Sequence, residues 1–124
     1  MMIVHGIPGC DTVKKARAWL TAQGQAYSFH DFKKQGVPVD SLPVWARAVG
    51  WDKLLNRQGT TWRKLDAATQ ASANTPQGAL SLAIGNPSMI KRPVVQWPCG
   101  GVTVGFDAAR WTEIVKTSDD RVKT

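Results

Sequence analysis

The stretch MIVHGIPGCDTVKKA, residues 2–16, decides the fold of this 124-residue chain. Its apolar start predicts a short strand over residues 3–7, which stops at Pro8 and Gly9, and a helical pattern begins at Asp11. Cys10 therefore lies at a helix N-terminus, where unpaired backbone N–H groups and the helix dipole favour an anion. We expect this position to lower the pKa of the Cys10 thiol and to make the sulfur nucleophilic. A buried structural cysteine is the alternative interpretation.

The elements on either side of this stretch alternate in type. The first helix is predicted over 11–23 and a second strand over 26–32, which together with the first strand form a βαβ unit with parallel strands. A helix is predicted to start at Asp40 or Ser41, and residues 51–87 carry no strand signal. Residues 94–106 predict a β-hairpin around a Pro-Cys-Gly-Gly turn, and Asp107 can cap a last helix.

Composition and charge limit the classes of function. Apolar residues make up 43% of the chain and charged residues 20%, as in an ordinary soluble domain, and no apolar run reaches the ~18 residues of a membrane span. The formal charge of +7 favours an anionic partner such as an oxyanion, glutathione, an acidic protein surface or nucleic acid. The basic residues are dispersed and no groove-reading motif is present, which argues against sequence-specific nucleic-acid binding.

Cysteine and histidine usage predicts a reducing compartment and no metal. Two cysteines without a secretory signal indicate a cytoplasmic protein. The chain has no Cys/His cluster with zinc spacing. His5 and His30 are isolated in strand-like runs, so we expect structural histidines. We accordingly expect a monomer with no metal, no bound cofactor and no membrane contact.

Three segments together resemble one known family. A β-α-β, helices, β-β-α order with a cysteine after the first strand resembles the thioredoxin fold. Residues 8–12 (PGCDT) and 86–93 (NPSMIKRP) resemble the arsenate reductase (ArsC) family. Residues 54–65 (LLNRQGTTWRKL) resemble its YffB-like branch, which has been proposed to contain glutathione-dependent thiol reductases. The resemblance covers about residues 2–115.

The resemblance implies a fold class and a domain organisation. The class is α/β, with a thioredoxin-like four-stranded mixed sheet, βαβ then ββα, and an all-helical insert. Residues 1–116 would form a single thioredoxin-like domain with the insert at about 33–90. Residues 117–124 are polar and charged, so we expect a flexible C-terminal tail.

The resemblance also implies the site. Cys10 matches the family nucleophile, Arg92 an oxyanion-binding arginine, and Pro93 a proline held in cis beside the nucleophile. A guanidinium offers a planar fork that holds oxyanions bidentately, whereas a surface salt bridge is the alternative for Arg92. Arg57 lies one residue from a second family arginine. The predicted substrate- or anion-binding set is Arg92, Pro93, Arg57, Asp11, Thr12 and Lys14, with Arg63 as a weaker candidate.

Two positions depart from the arsenate reductases. Those enzymes have a histidine four residues before the cysteine, where this chain has Gly6. They also have an arginine just after the fourth strand, where this chain has Gly105. Arsenate is therefore the lesser of the possible substrates.

Cys99 bears on the mechanism. It lies six residues beyond Pro93, or about 20 Å along a strand at ~3.3 Å per residue, whereas a disulfide needs Cα atoms within ~7 Å. With Pro93 at the active-site end, Cys99 should lie at the far end. We therefore expect a single-thiol mechanism in which Cys10 forms a covalent adduct and an external thiol, glutathione, releases it.

Two classes of function remain open. One is a glutathione-dependent thiol reductase acting on a small thiol or disulfide substrate. The other is a regulatory protein like the Spx proteins, which share this fold and bind RNA polymerase. Spx proteins generally carry Cys-x-x-Cys at the redox site, whereas the residue three after Cys10 is Val13. That difference favours the enzyme.

Overall fold

The computed structural model describes the backbone of residues 2–123 and the side chains of residues 2–116. Within these residues, four strands and eight α-helices follow the predicted order, with one turn of 3-10 helix at Pro87–Met89. The strands are β1 (Ile3–Gly6), β2 (Ser28–Asp31), β3 (Val94–Gln96) and β4 (Val102–Val104). The helices are α1 (Asp11–Ala22), α2 (Phe32–Gln35), α3 (Leu42–Val49), α4 (Trp51–Leu54), α5 (Thr60–Arg63), α6 (Ala67–Ser72), α7 (Pro76–Gly85) and α8 (Ala108–Lys123).

The chain divides into two compact units, the first made of residues up to 30 and from 92 onward. This unit carries the sheet, whose strand order is β2-β1-β3-β4. The pairs β1–β3 and β3–β4 are antiparallel, with His5 opposite Val94 and Val94 opposite Val104. The sheet is mixed and the arrangement is thioredoxin-like, as predicted. Since β1 and β3 run in opposite directions, the end of β1 and the start of β3 lie at the same edge.

The core of the first unit joins α1, the sheet and α8. Its buried members are Met2, Val4, Ala16, Leu20, Val95, Trp97 and Trp111. Trp111 is 1% exposed, and Trp97 and Phe106 meet its ring edge-on, with centroids 5.2 and 4.9 Å away. Aromatic rings in this geometry bury a large area and add a favourable edge-to-face term. α1 and the β3–β4 hairpin are thus held to α8 by one apolar cluster.

The second unit, residues 31–91, carries helices α2 to α7 and the turn of 3-10 helix. Its strand structure in the described residues is the last residue of β2 and an isolated bridge between Leu55 and Ile90. Leu42, Trp45, Leu54 and Ile90 are fully buried. None of the helices in the described part of the chain is long and apolar enough to cross a membrane.

Several sequence expectations need correction. The second strand ends at Asp31 instead of Phe32, because the Asp31 carboxylate accepts hydrogen bonds from the Lys33 and Lys34 N–H groups and starts α2. The backbone of α8 is helical through Lys123, beyond residue 116, where the sequence predicts a tail to begin. The flexibility predicted for 117–124 stays a prediction, since those side chains and all of Thr124 lie outside the described residues.

The two histidines, isolated in sequence, are neighbours in space. Their ring centroids are 5.1 Å apart, and His5 Nε2 lies 2.6 Å from Gln96 Oε1 on the adjacent strand. Arg17 places its guanidinium carbon 4.1 Å from the centroid of the Phe29 ring and donates a hydrogen bond to the Tyr27 hydroxyl. Within the described residues, no group of three or more His, Cys, Asp or Glu side chains could hold a metal ion.

Candidate active site

Cys10 lies at the junction between β1 and α1. The chain leaves β1 at Gly6 and turns in three residues, closed by a 3.1 Å hydrogen bond from the Cys10 N–H to the Ile7 carbonyl. Cys10 is the N-cap of α1, and its carbonyl accepts the first helical hydrogen bond from Lys14 N–H at 2.9 Å. The thiol is partly buried and free. The predicted position of the sulfur at a helix N-terminus is confirmed.

The surroundings of Cys10 lower the pKa of its thiol. Burial acts first and raises the pKa, but the Val13 N–H, the Arg92 guanidinium and the Thr12 N–H together outweigh it. The structure shows no cap hydrogen bond to the Cys10 side chain, and the two N–H groups lower the pKa because they favour the charged sulfur. These groups are unpaired donors of the first helical turn, and a thiolate satisfies them better than a neutral thiol.

Arg92 and Pro93 lie at the same edge of the sheet as Cys10, at the start of β3. They immediately precede β3, whose antiparallel pairing with β1 puts its start beside the end of β1. The Arg92–Pro93 bond is cis, as expected, and the Arg92 guanidinium lowers the pKa of the Cys10 thiol. The role predicted for Arg92 in oxyanion binding stays a prediction. Pro93 is buried, and its carbonyl accepts a 2.9 Å hydrogen bond from Gly105 N–H. The start of β3 is therefore fixed to the end of β4.

Three other predicted site residues, Asp11, Thr12 and Lys14, lie on the first turns of α1. Thr12 contributes its backbone N–H to the sulfur, and its side chain is exposed. Asp11 and Lys14 are exposed on the first turns of α1. Their contribution to anion binding stays a prediction.

Arg57 belongs to the second unit, where its charge is engaged locally. Its guanidinium lies 3.5 Å from Asp52 Oδ1, donates to the Ala73 carbonyl and stands 5.3 Å over the Trp62 ring. Arg63 is exposed at the end of α5. These local contacts account for the conformation of Arg57. The role predicted for Arg57 in substrate binding stays a prediction.

Cys99 lies in the turn between β3 and β4 and is exposed and free. β3 runs from Val94, at the Arg92 edge, to Gln96, which pairs with Ile3 at the opposite edge. Cys99 follows Gln96, whereas Cys10 follows Gly6, so the two thiols lie beyond opposite ends of the paired strands. This placement confirms the reasoning that put Cys99 away from Cys10.

The two departures from arsenate reductases have physical causes. A Cβ at Gly6 would lie 2.9 Å from Cγ2 of Val13, which leaves no room for a histidine there. Gly105 has φ +79°, a left-handed conformation that L-residues such as arginine adopt only with strain. Val13 was not among the site residues predicted from the sequence. Its place three residues after a cysteine at the N-cap was the available signal.

Comparisons with known proteins find relatives that cover most of this chain. The model of the ArsC family matches residues 5–114. An uncharacterized protein of Haemophilus influenzae is 38% identical over 107 residues, covering 86% of this chain and 92% of its own. The solved structure of the YFFB (PA3664) protein is 42% identical with a TM-score of 0.86, covering 91% of this chain and 97% of its own.

Two further relatives point to different functions. An arsenate reductase (ArsC) related protein from Brucella melitensis is 41% identical with a TM-score of 0.72, over 93% of this chain and 94% of its own. The global transcriptional regulator Spx of Staphylococcus saprophyticus is 23% identical over 97 residues, which are 77% of this chain and 72% of the regulator.

Proposed function

Because this chain belongs to the ArsC family, we propose that it is a glutathione-dependent thiol reductase with Cys10 as its single nucleophile. One observation carries the proposal: the Arg92 guanidinium and the N–H groups of Val13 and Thr12 converge on the Cys10 sulfur and lower its pKa. A thiolate is the attacking form in thiol–disulfide exchange. The same donors would hold an anionic substrate beside the sulfur.

The proposed reaction proceeds in two exchanges. The Cys10 thiolate attacks the glutathionyl sulfur of a mixed disulfide, forms a Cys10–glutathione disulfide, and expels the substrate thiolate, which takes a proton from solvent. The thiolate of a second glutathione attacks the glutathionyl sulfur of this adduct. Oxidised glutathione leaves and the Cys10 thiolate is regenerated. The net reaction reduces one mixed disulfide and oxidises one glutathione.

The position of Cys99 supports release by an external thiol. It follows the far end of β3, so an internal disulfide with Cys10 would require rearrangement of the paired strands. We also propose that the protein works in the cytoplasm, where glutathione is abundant and keeps thiols reduced. Arg57 and Lys14 remain proposed contributors to binding of the tripeptide carboxylates.

The test is reduction of a peptide–glutathione mixed disulfide by wild type, Cys10→Ser and Cys99→Ser, with glutathione as the only reductant. We expect turnover by wild type and Cys99→Ser and none above background by Cys10→Ser. Equal rates for wild type and Cys10→Ser would refute the proposal. Arsenate assayed in the same preparation should be reduced more slowly, since the third family arginine is replaced by Gly105.

A regulatory role like that of Spx is the second candidate, and the 23% sequence identity to Spx over 97 residues supports it. Val13 argues against it at the redox site, because a buried valine stands where the second cysteine of Cys-x-x-Cys would be. Capture of RNA polymerase by the purified protein, with no mixed-disulfide turnover, would favour the regulator over the enzyme.

A further inference from the structure

Gly6 and Val13 meet at the edge where β1 gives way to α1. A Cβ built on Gly6 would lie 2.9 Å from Cγ2 and 3.4 Å from Cγ1 of Val13. Val13 is fully buried, so its side chain cannot rotate into solvent to make room. Gly6 is not among the glycines with positive φ, so its backbone conformation does not require glycine. The absence of a side chain at position 6 therefore allows Val13 to pack closely against the end of β1.

Val13 also contributes to the site through its backbone. It is the third residue of α1, and its N–H is one of the two helical donors that act on the Cys10 sulfur. Its side chain and its N–H belong to one residue of one helical turn. A shift of the first turn of α1 away from β1 would therefore move this donor together with the isopropyl group.

We propose that Gly6 and Val13 are positioning residues, whose contact seats the first turn of α1 against β1 and aims the Val13 N–H at the Cys10 sulfur. The inference rests on the proposed role of Cys10 as the nucleophile. Arg92 lowers the pKa of the Cys10 thiol, and Asp11 and Lys14 are exposed on the first turns of α1. Substitutions at Gly6 or Val13 leave all three side chains in place.

The first test compares Gly6→Ala with Gly9→Ala, both on a Cys99→Ser background so that only Cys10 reacts. Gly9 is the matched control, because it is next to Cys10 in sequence yet a Cβ there would meet no atom within 4 Å. The rate of alkylation is measured against pH, and thermal unfolding establishes that each variant is folded at the assay temperature. A purely structural role for the contact would change the unfolding temperature and leave the pH profile unchanged.

We expect Gly6→Ala to move the inflection of the profile to higher pH and Gly9→Ala to leave it in place. Below the inflection, losing one charge-assisted hydrogen bond lowers the thiolate fraction about tenfold. The higher intrinsic nucleophilicity of a more basic thiolate offsets part of this, so alkylation should slow about threefold. A folded Gly6→Ala protein with the wild-type profile, or an equal shift in Gly9→Ala, would overturn the proposal.

A second pair of variants keeps the test open if Gly6→Ala does not fold. Val13→Ala removes the contact without a clash, and Gly6→Ala/Val13→Ala restores a methyl group in the same space. We expect the single variant to move the inflection upward and the double variant to move it back. Unchanged profiles in both would contradict the proposal. The proposed function would fail on a different result, in which the alkylation profile of Cys10 in the Cys99→Ser reference protein has its inflection at the pH of an ordinary cysteine.

Discussion

His5 should make the stability of the folded protein depend on pH. Its side chain is 4% exposed, and its Nε2 lies 2.6 Å from Gln96 Oε1. Burial lowers the pKa of His5 from 6.5 to about 4; the hydrogen bond with Gln96 opposes this shift and the charge of His30 adds to it. At pH 5 the imidazole is therefore neutral in the folded protein and protonated in the unfolded chain.

The size of the effect follows from proton linkage. Between pH 4 and pH 6.5 the unfolded chain binds more protons than the folded protein, so the free energy of unfolding rises with pH across this window. The whole difference in pKa corresponds to about 3 kcal/mol, which is fully lost only below pH 4. Lowering the pH from 7 to 5 should cost about 2 kcal/mol through His5 alone.

Urea unfolding of wild type and His5→Gln at pH 7 and pH 5 measures this contribution. Glutamine keeps an N–H donor near Gln96 and does not titrate, so the carboxylates affect both proteins alike. We expect wild type to lose about 2 kcal/mol more than His5→Gln on acidification. Equal losses would refute the assignment of a neutral buried imidazole.

Three further predictions follow from the site. Arg92→Ala should move the inflection of the Cys10 alkylation profile to higher pH and slow alkylation about threefold below it, because the sulfur loses a charged donor. Arg92→Lys should fall between wild type and Arg92→Ala, and an unchanged profile in Arg92→Ala would contradict this prediction. Cys99→Ser should leave mixed-disulfide turnover unchanged, since this thiol lies beyond the far end of β3; a large loss would indicate that Cys99 resolves the adduct. Gly105→Arg should lower stability by about 1–2 kcal/mol in urea unfolding, because φ there is +79°; an arginine tolerated at no cost would show that the backbone relaxes.

The order of elements was predictable because its determinants are local. Apolar spacing and turn residues predicted the strands, α1 and the hairpin close to their observed bounds. The end of β2 was not predictable in this way. Phe32 favours a strand by propensity, yet the Asp31 carboxylate caps the following turn and draws Phe32 into α2.

The site was only partly predictable because its contacts are not local. The helix N-terminus identified Cys10, whereas Arg92 is 82 residues away in sequence and was assigned through the family resemblance. The Gly6–Val13 contact depends on how closely α1 approaches β1, which spacing alone does not specify. The pairing of His5 with His30 across neighbouring strands was missed for the same reason.

The central claim is that Cys10 alone carries the covalent chemistry, and intact-protein mass measurement tests it most directly. Reduced wild type is mixed with one equivalent of a peptide–glutathione disulfide, quenched with acid, and digested to locate the modification. We predict one glutathionyl group on Cys10, none on Cys99, and its complete removal when reduced glutathione is added. A disulfide between Cys10 and Cys99, or no adduct while the peptide is reduced, would contradict the account.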